Sequence, residues 1–181
     1  RLQFREANQL PDDSIIILYQ GAVTFNRGIE NSIKALRFLD RSYYLLILGN
    51  GSDDYVKRLK ELVYEQNVRE NVIFHQAVPH EEELWKYTSL ADVGVLCGPN
   101  TCLSYYYSLP NKLFEYIQAG LPVISSDFPE FKKIVYGYDI GECCNPDDSE
   151  AIAMHISKMC SGKTRLRQYR ENVMLAKNDL N

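Results

Sequence analysis

Ser108-Leu-Pro-Asn-Lys-Leu-Phe-Glu-Tyr-Ile-Gln-Ala-Gly-Leu-Pro-Val-Ile-Ser-Ser-Asp127 reads as loop, helix, tight turn and buried strand in one unbroken phrase. Pro110 suits a helix's first turn, where a missing backbone N–H costs nothing. Leu113, Phe114 and Ile117 mark an apolar face at helical spacing. Gly120 is placed for a left-handed helix end, and Leu121 to Ser125 form a short strand. A helix that starts this way offers unpaired N–H groups and a positive dipole end, which suits a phosphate. Lys112 adds a mobile cation there, and Glu115 adds a carboxylate one turn in. A charged Glu beside a phosphate implies a separate task, such as holding sugar hydroxyls.

The same alternation extends outward in both directions. Ile15 to Tyr19 and Tyr44 to Leu48 are continuous apolar runs bounded by turns, as strands buried on both faces are. Asn71 to His75, Ala91 to Cys97 and Asp139 to Cys143 supply further strands. Between them, helices are predicted over Ile29 to Leu39, from Asp53 or Asp54 through Gln66, and over Glu81 to Tyr87. Later helical segments are Phe131 to Val135, Glu150 to Cys160 and a polar helix from Arg165 to Lys177, with a weakly helical lead-in over Arg1 to Gln9. Strand and helix alternate throughout, which predicts an α/β fold: a Rossmann-like parallel sheet with helices on both faces. No repeat or long linker divides the chain, so residues 1–181 are expected to form a single domain.

Ligands of such sheets bind outside the carboxyl ends of the strands, where the strand order switches. The loops expected there are Gln20 to Gly28, Gly49 to Ser52, Gln76 to Pro79 and Gly98 to Leu109. Gly21 and the Arg27-Gly28 pair combine close backbone approach with a bidentate cation. Each residue taken singly also fits a plain turn or a solvated charge. Gly49-Asn50-Gly51 is not a dinucleotide fingerprint, and no P-loop is present. Gathered at strand ends, however, these residues favour a ligand carrying a diphosphate. His75 reads as a packed core histidine, Tyr105 to Tyr107 as packing or partner surface, and the paired aspartates as turns and caps. No Ser/His/Asp or Cys/His nucleophile set emerges from this order of residues.

Composition narrows the class. Of 181 residues, 45% are hydrophobic and 24% charged, the balance of a globular protein with a real core. A net charge of −4 gives no global attraction to nucleic acid, and no stretch nears the roughly 18 apolar residues of a membrane span. Beginning at Arg1 rather than Met, the chain is expected to be an excised portion of a longer protein. The five cysteines lack disulfide or metal spacing, so they are expected to be reduced thiols, mostly buried, with no metal site.

Several phrases together resemble a known family. They are Leu18-Tyr-Gln-Gly21 to Arg27-Gly28-Ile-Glu, Leu46-Ile-Leu-Gly-Asn-Gly51, Val72-Ile-Phe with Val78-Pro, Ala91-Asp-Val, and Leu109-Pro-Asn-Lys112 to Ala119-Gly-Leu-Pro-Val. Nearly the whole chain resembles the C-terminal, nucleotide-sugar-binding half of the two-domain GT-B architecture, as found in retaining glycosyltransferases of family four. The resemblance implies a nucleotide-diphosphate sugar as donor, most simply a uridine-linked one, and no metal or other cofactor. It implies an acceptor bound by an N-terminal half. It also implies a place in polysaccharide or glycolipid synthesis, in the cytoplasm or at the inner face of a membrane.

Site roles follow residue by residue from the resemblance. In the family a Gly-Arg pair and a Lys-Gly pair grip the diphosphate. Here Gly21 is followed by Ala22, and Arg27 stands in the Lys position before Gly28. Of the family's paired glutamates, the second matches Glu115, which implies a contact to ribose hydroxyls. The first falls at Tyr107, so the carboxylate facing the donor sugar is replaced. Leu109, Asn111 and Lys112 lie where the family approaches phosphate, Gly49 and Gly51 in its second loop, and Val78 in the segment lining the base. Arg27 and Lys112 are the residues implied to assist catalysis. Two competing readings stand beside this one: a non-catalytic nucleotide-sugar-binding domain, and a sugar-nucleotide epimerase of the same architecture.

Overall fold

The computed structural model describes residues 2–78 and 83–180. Its elements run α1 (Leu2–Ala7), β1 (Ile15–Gln20), α2 (Ile29–Ala35), β2 (Tyr43–Leu48), α3 (Asp53–Glu65), β3 (Val72–His75), α4 (Glu83–Leu90) and β4 (Val93–Leu96). They continue through α5 (Leu103–Tyr106), α6 (Asn111–Gln118), β5 (Val123–Ser126), α7 (Pro129–Gly137), β6 (Gly141–Cys144), α8 (Ser149–Cys160) and α9 (Lys163–Asp179). The strands form one six-stranded sheet in the order β3-β2-β1-β4-β5-β6, parallel at every pairing. The order switches between β1 and β4, which opens a crevice at their carboxyl ends.

The alternation of β1 explains the two cores. Ile17 and Tyr19 face a cluster built with Ile29 and Ile33 of α2, Leu59 of α3 and Ile152 of α8. Ile16 and Leu18 face the opposite cluster, with Leu113 and Tyr116 of α6, Val135 of α7 and Val173 of α9. Both faces are thus covered, as the apolar runs required.

Helix α6 lies close against β4. A side chain at Gly94 would place its Cβ 2.5 Å from the Tyr116 ring, so glycine lets the helix press onto β4. Tyr116 is fully buried while Phe114 is only half-buried, which corrects the apolar face read from spacing. The difference is polar: the Tyr116 hydroxyl donates to Leu18 O at 3.0 Å and accepts from Gln20 N at 3.1 Å. The helix ends as expected at Gly120 (φ 73°), with Gly120 N bonded to Ile117 O and Leu121 N to Tyr116 O.

Other boundaries shift for local reasons. The helix expected over Ile29 to Leu39 tightens into a 3-10 turn at Leu36–Phe38. Ser52, not Asp53 or Asp54, caps α3 by accepting from Tyr55 N. The loop Gly98 to Leu109 contains the short helix α5. Pro110 stands one position earlier than expected, as the cap residue of α6. The helix expected from Glu81 is described from Glu83 onward; Pro79, Glu81 and Glu82 lie outside the described residues.

Candidate functional site

Hydrogen bonds stitch the loops after β1, β2 and β3 together. Gly21 N donates to Leu48 O at 2.9 Å, Val23 N to Asn50 O at 2.9 Å, Gly49 N to His75 O at 2.9 Å and Ala77 N to the Asn50 side chain at 2.9 Å. A cleft of about 550 Å³ opens between these loops and the first turns of α6. Gly21, Arg27, Gly49, Val78, Asn111, Lys112 and Glu115 all line it. Residues from separate stretches of sequence therefore converge on one face of the switch point.

Three predicted glycines act mainly through the backbone. Gly28 holds φ 76°, and a Cβ there would fall 1.9 Å from Cys97 O, so the start of α2 rests directly on the end of β4. Cβ atoms at Gly49 and Gly51 would collide with Gly21 O and Val23 O, at 1.8 and 2.1 Å. Gly28 and Gly51 position the loops without lining the cleft.

The cations are held in place. Lys112 Nζ sits 4.1 Å from the centre of the Tyr19 ring, and the Arg27 guanidinium stacks 5.6 Å from that of Tyr105. Lys112 is thus half-buried and pinned, not the mobile surface cation expected from sequence. Burial, with Arg27 beside it, pulls its pKa down to about 8, and Glu115 works against that shift. Pro110 supplies no capping side chain, so α6 opens onto the cleft wall formed by Pro110, Asn111 and Lys112.

Glu115 is oriented from the sheet. The Gln20 amide donates to its Oε2 at 2.7 Å, and Gln20 in turn accepts from the Thr88 hydroxyl at 2.8 Å. Gln20 was not singled out from sequence, although a polar residue ending an apolar strand was the available signal. Tyr105 and Tyr19 were missed as cation partners, because nothing local announces a stack across loops.

Two predicted residues lie elsewhere. Leu109 packs against the core cluster around α6. Tyr107 is 58% exposed, lies outside the lining of the cleft, and meets the Tyr106 ring edge-on at 4.9 Å. His75 is hydrogen-bonded as expected of a packed histidine, to the Tyr87 hydroxyl and Gln76 O, each at 2.8 Å. Among the described residues no helix is long and apolar enough to cross a membrane.

Known proteins share both sequence and fold with this chain. The sequence profile of the glycosyl transferases group 1 matches residues 1–174. An uncharacterized glycosyltransferase of Methanocaldococcus jannaschii is 29% identical over 162 residues, 89% of this chain and 40% of its own length. Sucrose-phosphate synthase of Thermosynechococcus elongatus superposes with a TM-score of 0.84 at 26% identity, over 99% of this chain and 44% of that one. HepE of Anabaena, solved in complex with UDP, has the same fold, with a TM-score of 0.84 at 14% identity over 99% of this chain and 48% of its own. This chain therefore spans less than half the length of these relatives. On the strength of a profile match running over nearly all its residues, the chain belongs to the group 1 glycosyl transferases.

Proposed function

We propose that the chain is the C-terminal, donor-binding half of a retaining GT-B glycosyltransferase and that its cleft holds a nucleotide-diphosphate sugar. The observation that carries this reading is that Arg27 from the loop after β1 and Lys112 from the first turn of α6 line the same cleft, with Glu115 one helical turn further along α6. Two fixed cations match a diphosphate, and an oriented carboxylate matches ribose hydroxyls. Val78 and Ala77 border the cleft where the base would lie. The like-folded HepE bound to UDP supports a uridine nucleotide.

In this reading the acceptor is held by an N-terminal half and attacks the donor sugar on the face that the diphosphate leaves. Arg27 and Lys112 stabilise the charge that develops on the departing diphosphate. No metal or other cofactor is required. The product belongs to a polysaccharide or glycolipid, made at the cytoplasmic face of a membrane.

Calorimetric titration with UDP and uridine tests the reading. Arg27→Ala is expected to weaken UDP about tenfold to a hundredfold while leaving uridine almost unaffected, because a hydrogen bond to a charged group is lost. Glu115→Ala is expected to weaken both ligands. Equal losses of UDP and uridine in Arg27→Ala would remove Arg27 from the diphosphate.

Tyr107 favours a second reading, a donor-binding domain without turnover, since it carries no carboxylate and stands away from the cleft. Glycosyl transfer by a chain that includes an N-terminal half would exclude that reading.

A further inference from the structure

A recess separate from the cleft lies across Arg27, Pro110 and Lys112, residues that line both. It measures about 90 Å³, which is room for about three waters at about 30 Å³ each. A whole pyranose ring is far too large for it, whereas a substituent of about four non-hydrogen atoms fits. Its interior is apolar, built by Leu96 at the end of β4, Phe128 and Phe131 at the start of α7, and the Tyr105 ring. Its polar groups are few: Ser126 donates to Gly98 O at 2.7 Å and Ser108 to Tyr105 O at 3.2 Å, and Asn26 lies on its rim. Donors remain on the cleft side, from the two cations.

This inference rests on the donor reading above, which lays the nucleoside against Glu115 and Val78 and the diphosphate on Arg27 and Lys112. The sugar is the next group along, and beyond the cations the next space is this recess. We propose that the recess selects an N-acetylhexosamine donor by taking its acetamido group. The carbonyl oxygen faces the cationic mouth, and the methyl group rests on Phe128 and Phe131. A hydroxyl in the same place would leave the Phe128 and Phe131 rings uncovered, which the acetamido methyl buries. A lone methyl would leave most of the volume empty.

Titration calorimetry of the 181-residue chain with UDP, UDP-glucose and UDP-N-acetylglucosamine tests the proposal. UDP-N-acetylglucosamine is expected to bind about tenfold tighter than UDP-glucose, the order of one methyl buried and one hydrogen bond made. Saturation-transfer NMR on the same chain should show the acetyl methyl among the most strongly saturated ligand protons. Gly98→Leu fills the recess: a Cβ there meets Asn26 O at 3.5 Å, an ordinary contact, so the backbone tolerates it. In that variant the preference is expected to fall to about one. UDP binding with equal or weaker affinity for the acetylated donor would overturn the subsite alone, as would a preference that survives Gly98→Leu. Failure of UDP itself to bind would overturn the donor reading with it. Should Gly98→Leu fail to fold, the methyl saturation in the unaltered chain still decides.

Discussion

Lys112 shows at the scale of one residue how a cation proposed to meet the diphosphate is held at a cost to the fold. Its ammonium is half-buried between the Tyr19 ring and Arg27, and burial first, then the Arg27 charge, lowers its pKa to about 8. An unfolded chain keeps the same lysine protonated up to about 10.4. Between about pH 8 and 10 the unfolded state therefore binds more protons, so this residue's contribution to stability rises with pH through that window. Below it, the buried charge weighs against folding. Lys112→Met is accordingly expected to raise Tm by about 2–4 °C at pH 7, the shift that about 1 kcal/mol produces in a chain of this size. The same variant is expected to lose at least tenfold in UDP affinity, and the unaltered chain to bind UDP more weakly as pH climbs through about 8. Thermal melts and titrations across pH 6 to 9.5 check this; a lower Tm with UDP affinity intact would refute it.

At the scale of elements, the far edge of the sheet depends on one carboxylate. Glu142 of β6 is 5% exposed and lies 2.7 Å from Lys158 Nζ of α8, and it accepts from the Tyr169 hydroxyl of α9 at 2.8 Å. His155 Nδ1 at 3.2 Å and Arg165 at 3.4 Å complete the set. Burial alone would raise its pKa, but the bonds from Lys158 and Tyr169 outweigh it and the net direction is down. A carboxylate lowered in the folded state lends stability that is complete above its ordinary range and is lost as pH falls through its folded value. Glu142→Ala is expected to cost about 1–3 kcal/mol, measured by urea unfolding at pH 7, and to flatten the acid side of the stability profile. An unchanged midpoint would mean that α8 and α9 are held by their apolar faces alone. The contrast with what local patterns disclose is instructive. The strands were legible because a parallel sheet buries both faces, which makes runs such as Ile15 to Tyr19 continuously apolar. The turn at Gly120 was legible because few residues accept its φ. Glu142 was not, since a carboxylate on a strand acquires its partners only when α8 and α9 fold back over it.

The whole molecule explains why the site was partly visible in sequence and why its finer contacts were hidden. Alternation of strand and helix implied a crevice at the carboxyl ends, and that was enough to nominate Arg27, Lys112 and Glu115 together. The contact that orients Glu115 joins Gln20 to a residue 95 positions away, through a sheet order that places β1 beside β4. No local window contains that pairing, and Tyr105 reaches Arg27 by the same kind of distant meeting. The arrangement also has a thermodynamic consequence. A ligand in the cleft touches loops after β1, β2 and β3 on one side of the seam and α6 on the other, so it adds to the few side-chain contacts, such as Gln20 to Glu115, that already join them. UDP at 100 times its Kd is expected to stabilise the fold by about 2.7 kcal/mol, a Tm rise of roughly 5–11 °C for this size. Hydrogen exchange should slow at the backbone of Gly21 and Asn50 and at the first turn of α6 together, because one ligand closes on all three. Protection confined to a single loop, or a Tm unmoved by UDP, would place the ligand outside the crevice that the sheet order creates.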